Sequence, residues 1–339
     1  MKLIPTFELN NWSVDALIIE NPVDLKYLCS LNLSQGLLIV DDKQSCLFVD
    51  GRYIEEAKGA RLISEDNLKS FLSTCTFKKV GFDEEALSFS RYSYLKNIFQ
   101  AYNIELVALK SPIKKLRSIK TLDEIKKLKE AAELNKKGFK FVQNILKEGV
   151  SEREVSNALK IFWIENGGDE PSFEPIIAFG KNSSKPHYRS GNQTLKKNDI
   201  ALIDIGVSKD GWQSDATKTY IFGQVDPIIT QIYKIVEDAL EKTLVLCKEG
   251  LIIKALDEKA RGIIKEWGYE KDFKHSIGHG LGLEVHEYPL LKPSSINPHE
   301  VLKEGMCITI EPGIYLEGIG GIRLEKSIVI TKNGYELLC

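Results

Sequence analysis

The chain has 339 residues, of which 43% are hydrophobic and 28% charged, with a formal net charge of −2. That length supports two domains with a core each, and the near-neutral balance gives no electrostatic footprint for nucleic acid or a membrane surface. No stretch approaches the roughly 20 apolar residues needed to cross a bilayer.

The N-terminus, MKLIPTFELNNW, carries one lysine and an early Pro5 and lacks the charged and apolar regions of a signal peptide, so a cytoplasmic location is expected. Residues 1 to about 110 then alternate short apolar runs (DALIIE, GLLIV, CLFVD, KKVGF, IELVAL) with amphipathic stretches such as RYIEEAKGA and SRYSYLKNIFQAY, the pattern of a small α/β domain. Six scattered cysteines form no CxxC pair and read as reduced thiols.

A basic segment, LKSPIKKLRSIK, precedes a long helical pattern that ends at Gly149, and the domain boundary is placed there, with one domain over 1–115 and another over 120–339. In the second domain SERE (151–154) forms a capping box for another helix, followed by strands. Asp226-Pro227 supplies an N-cap and a first-turn proline for a helix ending at Lys248-Glu249-Gly250. A further helix lies near ALDEKARGIIKEWG, and strands follow again. Two helices and a carboxylate-bearing hairpin therefore recur, a sign of internal pseudo-symmetry.

The first of these hairpins is ALIDIGVSKDGWQSDATKTYIFG (201–223). A Lys209-Asp210 loop sets Asp204 directly across from Asp215; an Asp210-Gly211 loop sets them diagonally, still on one face. In the second, MCITIEPGIYLEGIGGIRLEKSIVIT (306–331), a Glu317-Gly318-Ile319 loop sets Glu311 opposite Glu325. A single carboxylate in a strand ordinarily faces solvent. Two mirrored pairs on apolar strands are different, because like charges so placed repel unless a proton or a cation lies between them. The repetition favours two cations, and oxygen-rich ligation with one imidazole suits Mn, Co or Zn. Between the hairpins, GHGLGLEVHEYP places His279 and His286 seven residues apart. In a regular strand that odd spacing puts them on opposite faces, which implies different tasks.

The order Asp204, Asp215, GHGLGLEVHE, IEPGIY with Glu311, and IRLE with Glu325 resembles the pita-bread metallopeptidases, the group of aminopeptidase P, prolidase and methionine aminopeptidase. NPVDLKYLCSL, GLLIV and LFVDGRY are similar to the creatinase-type N-terminal domain of aminopeptidase P and prolidase. The resemblance implies an α/β (α+β) protein: a small creatinase-like domain followed by a pita-bread domain of pseudo-two-fold symmetry. It implies two divalent ions, with Asp204 on one, His279 on the other, and Asp215, Glu311 and Glu325 shared. Glu311 would also move the proton. His187 would face the substrate, His286 would stabilise the tetrahedral intermediate, His275 would sit in the outer shell, and Arg323 would brace the carboxylates.

Asp24, Lys218 and Lys326 depart from common family residues without touching a ligand. The implied substrate is a proline-containing peptide or dipeptide, and the implied assembly a homodimer. Xaa-Pro aminopeptidase is favoured over Xaa-Pro dipeptidase because no feature of the sequence stands out to clamp a dipeptide carboxylate. Creatinase-like hydrolases and non-catalytic pita-bread modules lack the full ligand set that is present here.

Overall fold

The computed structural model describes residues 1–292 and 299–339 and divides into two compact units, Met1–Leu116 and Arg117–Cys339. The first unit is a six-stranded sheet of β1 (Ala16–Ile19), β2 (Leu37–Val40), β3 (Ser45–Val49), β4 (Arg61–Leu62), β5 (Lys79–Asp83) and β6 (Glu105–Leu109), in the order β4-β3-β2-β1-β5-β6. Its helices are α1 (Thr6–Trp12), α2 (Pro22–Cys29), α3 (Glu65–Leu72) and α4 (Phe89–Gln100), and α5 (Pro112–Ser118) runs across the division into the second unit. The runs ALII and LLIV are apolar throughout because both sheet faces are covered: Leu17, Ile19, Leu38 and Val40 enter one core, Ala16, Ile18, Leu37 and Ile39 the other. RYIEEAKGA, amphipathic in sequence, forms no helix. It makes successive turns that end at Gly59, whose φ of +83° an L side chain rarely adopts.

In the second unit α6 (Leu122–Ile145) and α7 (Glu152–Glu165) each start at a capping box, Thr121 with Glu124 and Ser151 with Glu154. Strands β7 (Glu170–Pro171), β8 (Ile176–Phe179), β9 (Asp199–Ile205), β10 (Val207–Ser208) and β11 (Ala216–Phe222) follow. Then come α8 (Pro227–Leu244), α9 (Lys254–Glu266), β12 (His279–Gly280), β13 (Glu287–Leu290), β14 (Cys307–Ile310), β15 (Gly313–Leu316), β16 (Gly320–Arg323), β17 (Lys326–Thr331) and β18 (Gly334–Leu337). Two helices, then strands that include a hairpin, thus occur twice.

Helix α8 stops at Leu244, six residues short of the glycine expected to end it. The amides of Leu246 and Cys247 make tighter turns onto Thr243 and Leu244, and those of Glu249 and Gly250 bond Thr331 and Leu302 instead. Helix α6 likewise ends at Ile145 rather than Gly149, with Leu146 extended and the Gly149 amide bonded to Leu195. Along α8, Ile229, Ile232, Ile235, Val236, Ala239 and Leu240 bury one face against a core shared with β14, β16 and β17. Each large side chain so buried contributes about 1.5–3 kcal/mol. All six cysteines are free thiols.

Two hairpins position the acidic residues. The first turns at Asp210-Gly211, both with positive φ, which a tight two-residue turn requires. Asp204 therefore faces Thr217 across the ladder, and Asp215 lies diagonally, just before β11. In the second hairpin Gly313 pairs with Arg323 and Leu316 with Gly320 around the three-residue loop 317–319. The same register continues between β14 and β17, where Ile310 pairs with Lys326. Glu311 and Glu325 occupy the break between the two paired stretches. Their amides turn away from each other: Glu311 donates to Ile277 at 2.8 Å and Glu325 to Thr217 at 3.1 Å.

Candidate metal centre

The acidic side chains and four histidines, His187, His275, His279 and His286, line one cavity of about 540 Å³ in the second unit. Ligand atoms of Asp215, His279 and Glu325 lie within 4.8 Å of one another, and all three residues are buried. The His279 ring donates from Nδ1 to the Gly280 carbonyl at 3.0 Å, so Nε2 carries the lone pair. That Nε2 is 3.6 Å from Asp215 Oδ2 and 3.6 Å from Glu311 Oε1. Asp204 is held differently, by Arg323 Nη2 at 2.5 Å. Among the described residues Asp204 Oδ1, Asp215 Oδ1 and Glu325 Oε1 are buried with no hydrogen-bond partner.

Burial first, then the charges of Glu325, Asp204 and Glu311, push the Asp215 carboxyl well above the usual range. Burial and the neighbouring carboxylates do the same to Glu325. Glu311 rises to about 8 through burial, with the Arg323 charge opposing and the Asp204 charge adding. Burial brings His279 and His275 down to about 4, and lowers His286 with help from His187, so these imidazoles are neutral near neutral pH. Crowded carboxylates with orphaned oxygens around a neutral imidazole are a donor set that divalent cations fit, because each cation supplies the missing partner and removes the repulsion.

Arg323 ties the set together. Its Nη1 donates to the Tyr315 hydroxyl at 2.8 Å and its Nε to Thr217 Oγ1 at 3.2 Å. Thr217 in turn donates to Glu325 Oε2 at 2.7 Å. His275 donates from Nδ1 to the Ser276 carbonyl, so its Nε2 accepts the Tyr315 hydroxyl proton at 2.7 Å. Thus Arg323 braces Asp204 directly and Glu325 through Thr217, while His275 sits 3.8 Å from Glu311 Oε2. His187 is exposed and lines the same cavity.

His279 and His286 are not kept on opposite faces as the odd spacing suggested. β12 ends at Gly280, a loop follows, and the two rings meet edge to face with centroids 4.3 Å apart. The glycines serve close packing rather than unusual dihedrals: a Cβ at Gly278 would lie 2.1 Å from the Thr309 carbonyl oxygen, and one at Gly280 2.3 Å from that of Tyr288.

Thr217 and the fully buried Tyr315 were missed in the sequence. The first could have been found, since Asp215 and Thr217 share one face of an alternating strand. Tyr315 gave no signal apart from its nearness to Glu311.

Residues 126–332 match metallopeptidase family M24, and residues 8–119 match the creatinase/prolidase N-terminal domain. The chain belongs to metallopeptidase family M24. It is 37% identical to an uncharacterized peptidase of Staphylococcus aureus over 98% of this chain and 96% of that one. It is 34% identical to an uncharacterized peptidase of Bacillus subtilis over 95% and 92%.

Among solved structures it is similar to an Xaa-Pro dipeptidase from Bacillus anthracis, with a TM-score of 0.91 and 33% identity over 98% of this chain and 94% of that one. It is also similar to a prolidase from Pyrococcus furiosus, with a TM-score of 0.86 and 34% identity over 98% of each. An X-Pro aminopeptidase from Thermotoga maritima gives a TM-score of 0.87 and 29% identity over 98% and 97%. The M24 protein is a metallopeptidase of mixed α/β fold, as the sequence led one to expect, and the non-catalytic reading falls away.

Proposed function

We propose that the protein hydrolyses the bond between an N-terminal residue and proline, with two divalent cations held by Asp204, Asp215, His279, Glu311 and Glu325. The observation that carries this reading is the set of three partnerless buried carboxylate oxygens beside a neutral imidazole. Manganese suits so oxygen-rich a set, with cobalt or zinc as alternatives. When bound, the ions supply Lewis acidity that lowers the pKa of the attacking water and polarises the scissile carbonyl.

The chain's own groups do the rest. Glu311 takes the proton from the water and passes it to the leaving proline nitrogen as the C–O bond forms and the C–N bond breaks. His286 stabilises the charge that develops on the carbonyl oxygen, and His187 contacts the substrate from the exposed side. His275 and Arg323 orient Glu311 and Asp204. We expect His286→Ala to keep its metal and lose about 10²-fold in kcat. Loss of metal in that variant would place His286 among the ligands instead.

Substrate length turns on two cations. Arg189 and Lys292 line the cavity, and neither has an ion pair or side-chain hydrogen bond among the described residues. A free carboxylate two residues from the substrate's N-terminus is a partner of the right charge, which favours Xaa-Pro dipeptides over the longer peptides that the sequence favoured. The relatives named above include both kinds. Arg189→Ala/Lys292→Ala should raise KM for Xaa-Pro by about tenfold or more, as expected for a lost charge-assisted hydrogen bond, and leave Xaa-Pro amide unchanged. Faster turnover of Xaa-Pro-Yaa-Zaa than of Xaa-Pro by the wild type would restore the aminopeptidase reading. A homodimer is part of the proposal, and a monomeric sedimentation mass would remove it. Among the described residues no helix is long and apolar enough to cross a membrane, in keeping with the cytoplasmic location that we also propose.

A further inference from the structure

The loop that carries His286 is built around a buried carboxylate that the chemistry above does not use. Glu287 begins β13 directly after His286, pairs with Gly280 of β12, and its side chain is 1% exposed. Oε1 accepts from Arg117 Nη2 at 2.8 Å and from the Glu284 amide at 3.0 Å; Oε2 accepts from Lys120 Nζ at 3.3 Å. Arg117 also bonds Glu284 Oε2 at 2.5 Å. The carboxylate lies flat against the loop backbone: a Cβ at Gly282 would come 2.5 Å from Glu287 Oε2. From its other side the loop is tied to the hairpin beside Asp215, where the Gln213 amide donates to the Gly282 carbonyl at 2.9 Å.

A buried ion cluster of this kind gives little net stability, because the cost of desolvating the charges about cancels their attraction. Its geometry does more. Burial pushes the Glu287 carboxyl up, but Lys120 and Arg117 outweigh it and hold the pKa below the ordinary value, so the hub stays charged. Residues 280–287 are then closed into one loop around the carboxylate, and the residue next to Glu287 in the chain, His286, lines the cavity with its ring edge to face with that of His279.

We propose that Glu287, gripped by Arg117 and Lys120, is a positioning residue that sets His286 in the cavity. The proposal rests on the role given to His286 above. It assigns a task to residues far apart in the chain, two at the start of the second unit and one in the histidine loop, none of which faces the substrate cavity.

The test uses full-length, manganese-loaded protein and alanyl-proline as substrate. Glu287→Gln removes the charge. Glu287→Asp keeps it and shortens its reach, so the fold does not depend on two unneutralised cations. Each is made alone and together with His286→Ala, and kcat, KM and bound metal are measured.

Either variant should lower kcat about tenfold, in the range of other outer-shell partners, with KM within about twofold and metal content at the wild-type level. Added to His286→Ala, it should cost less than about twofold more, because Glu287 acts through the ring already removed. Losses that multiply in full in the double variants would overturn the proposal, as would wild-type kcat in Glu287→Asp. If His286→Ala alone keeps wild-type kcat, the role of His286 fails first and the proposal falls with it; if His286→Ala is impaired while the Glu287 variants are not, the proposal alone fails.

Discussion

Asp215→Ala and Glu325→Ala should each abolish divalent-ion binding and lower kcat/KM by at least about 10³-fold, roughly 4 kcal/mol of transition-state stabilisation. Both side chains are buried, each has an oxygen without a partner among the described residues, and both belong to the tight group around His279. A further outcome separates lost ligation from simple misfolding. In the metal-free protein these carboxyls are held well above their ordinary pKa, so ionising them costs folding free energy. Removing one therefore leaves the chelated variant at least as stable as chelated wild type in a denaturant titration. A variant that retains full activity would refute the two-ion site, and one that unfolds in chelator while the wild type does not would refute the electrostatic account.

Arg323→Met should destabilise the metal-free protein by about 3–5 kcal/mol, the cost of leaving a buried charge without its partner. The guanidinium is 3% exposed on the side chain and engages Asp204, Tyr315 and Thr217 together, and methionine fills similar space without the donors. Addition of manganese should then stabilise the variant more than it stabilises the wild type, since the ion takes over as counter-charge for Asp204 and binds N but not U. Melting in chelator and in excess manganese measures both shifts. Equal shifts in the two proteins would mean that Asp204 is Arg323's partner alone and no part of the ion site.

Much of this centre could be read in the sequence because its parts are local. Asp204 with Asp215, and Glu311 with Glu325, are joined by short turns whose chemistry sets the register, and the Asp210-Gly211 and 317–319 turns form as such. What escaped was non-local or irregular. The break in the second hairpin depends on Ile277 and Thr217 accepting the Glu311 and Glu325 amides, partners a hairpin pattern does not contain. The contact of His279 with His286 depends on a loop that replaces the regular strand assumed from spacing. The grip of Arg117 and Lys120 on Glu287 spans some 170 positions, beyond any periodicity. In the first unit, RYIEEAKGA has the composition of a helix but folds as successive turns that end at Gly59.

The uninterrupted register on both sides of the Glu311–Glu325 gap also limits how this chain can change over evolutionary time. Because β15 with β16 and β14 with β17 keep one alignment, the loop at 317–319 acts as the counter for everything after it. Deleting or inserting one residue there would turn Arg323 and Glu325 to the opposite face at once, separating the guanidinium from Asp204 and one carboxylate from His279. Substitutions at the exposed Glu317 and Ile319 cost little, Gly318 is held by its φ of +75°, and changes of length cost the whole centre. Lineages of this protein should therefore vary in the letters on either side of that glycine and hold the loop's length.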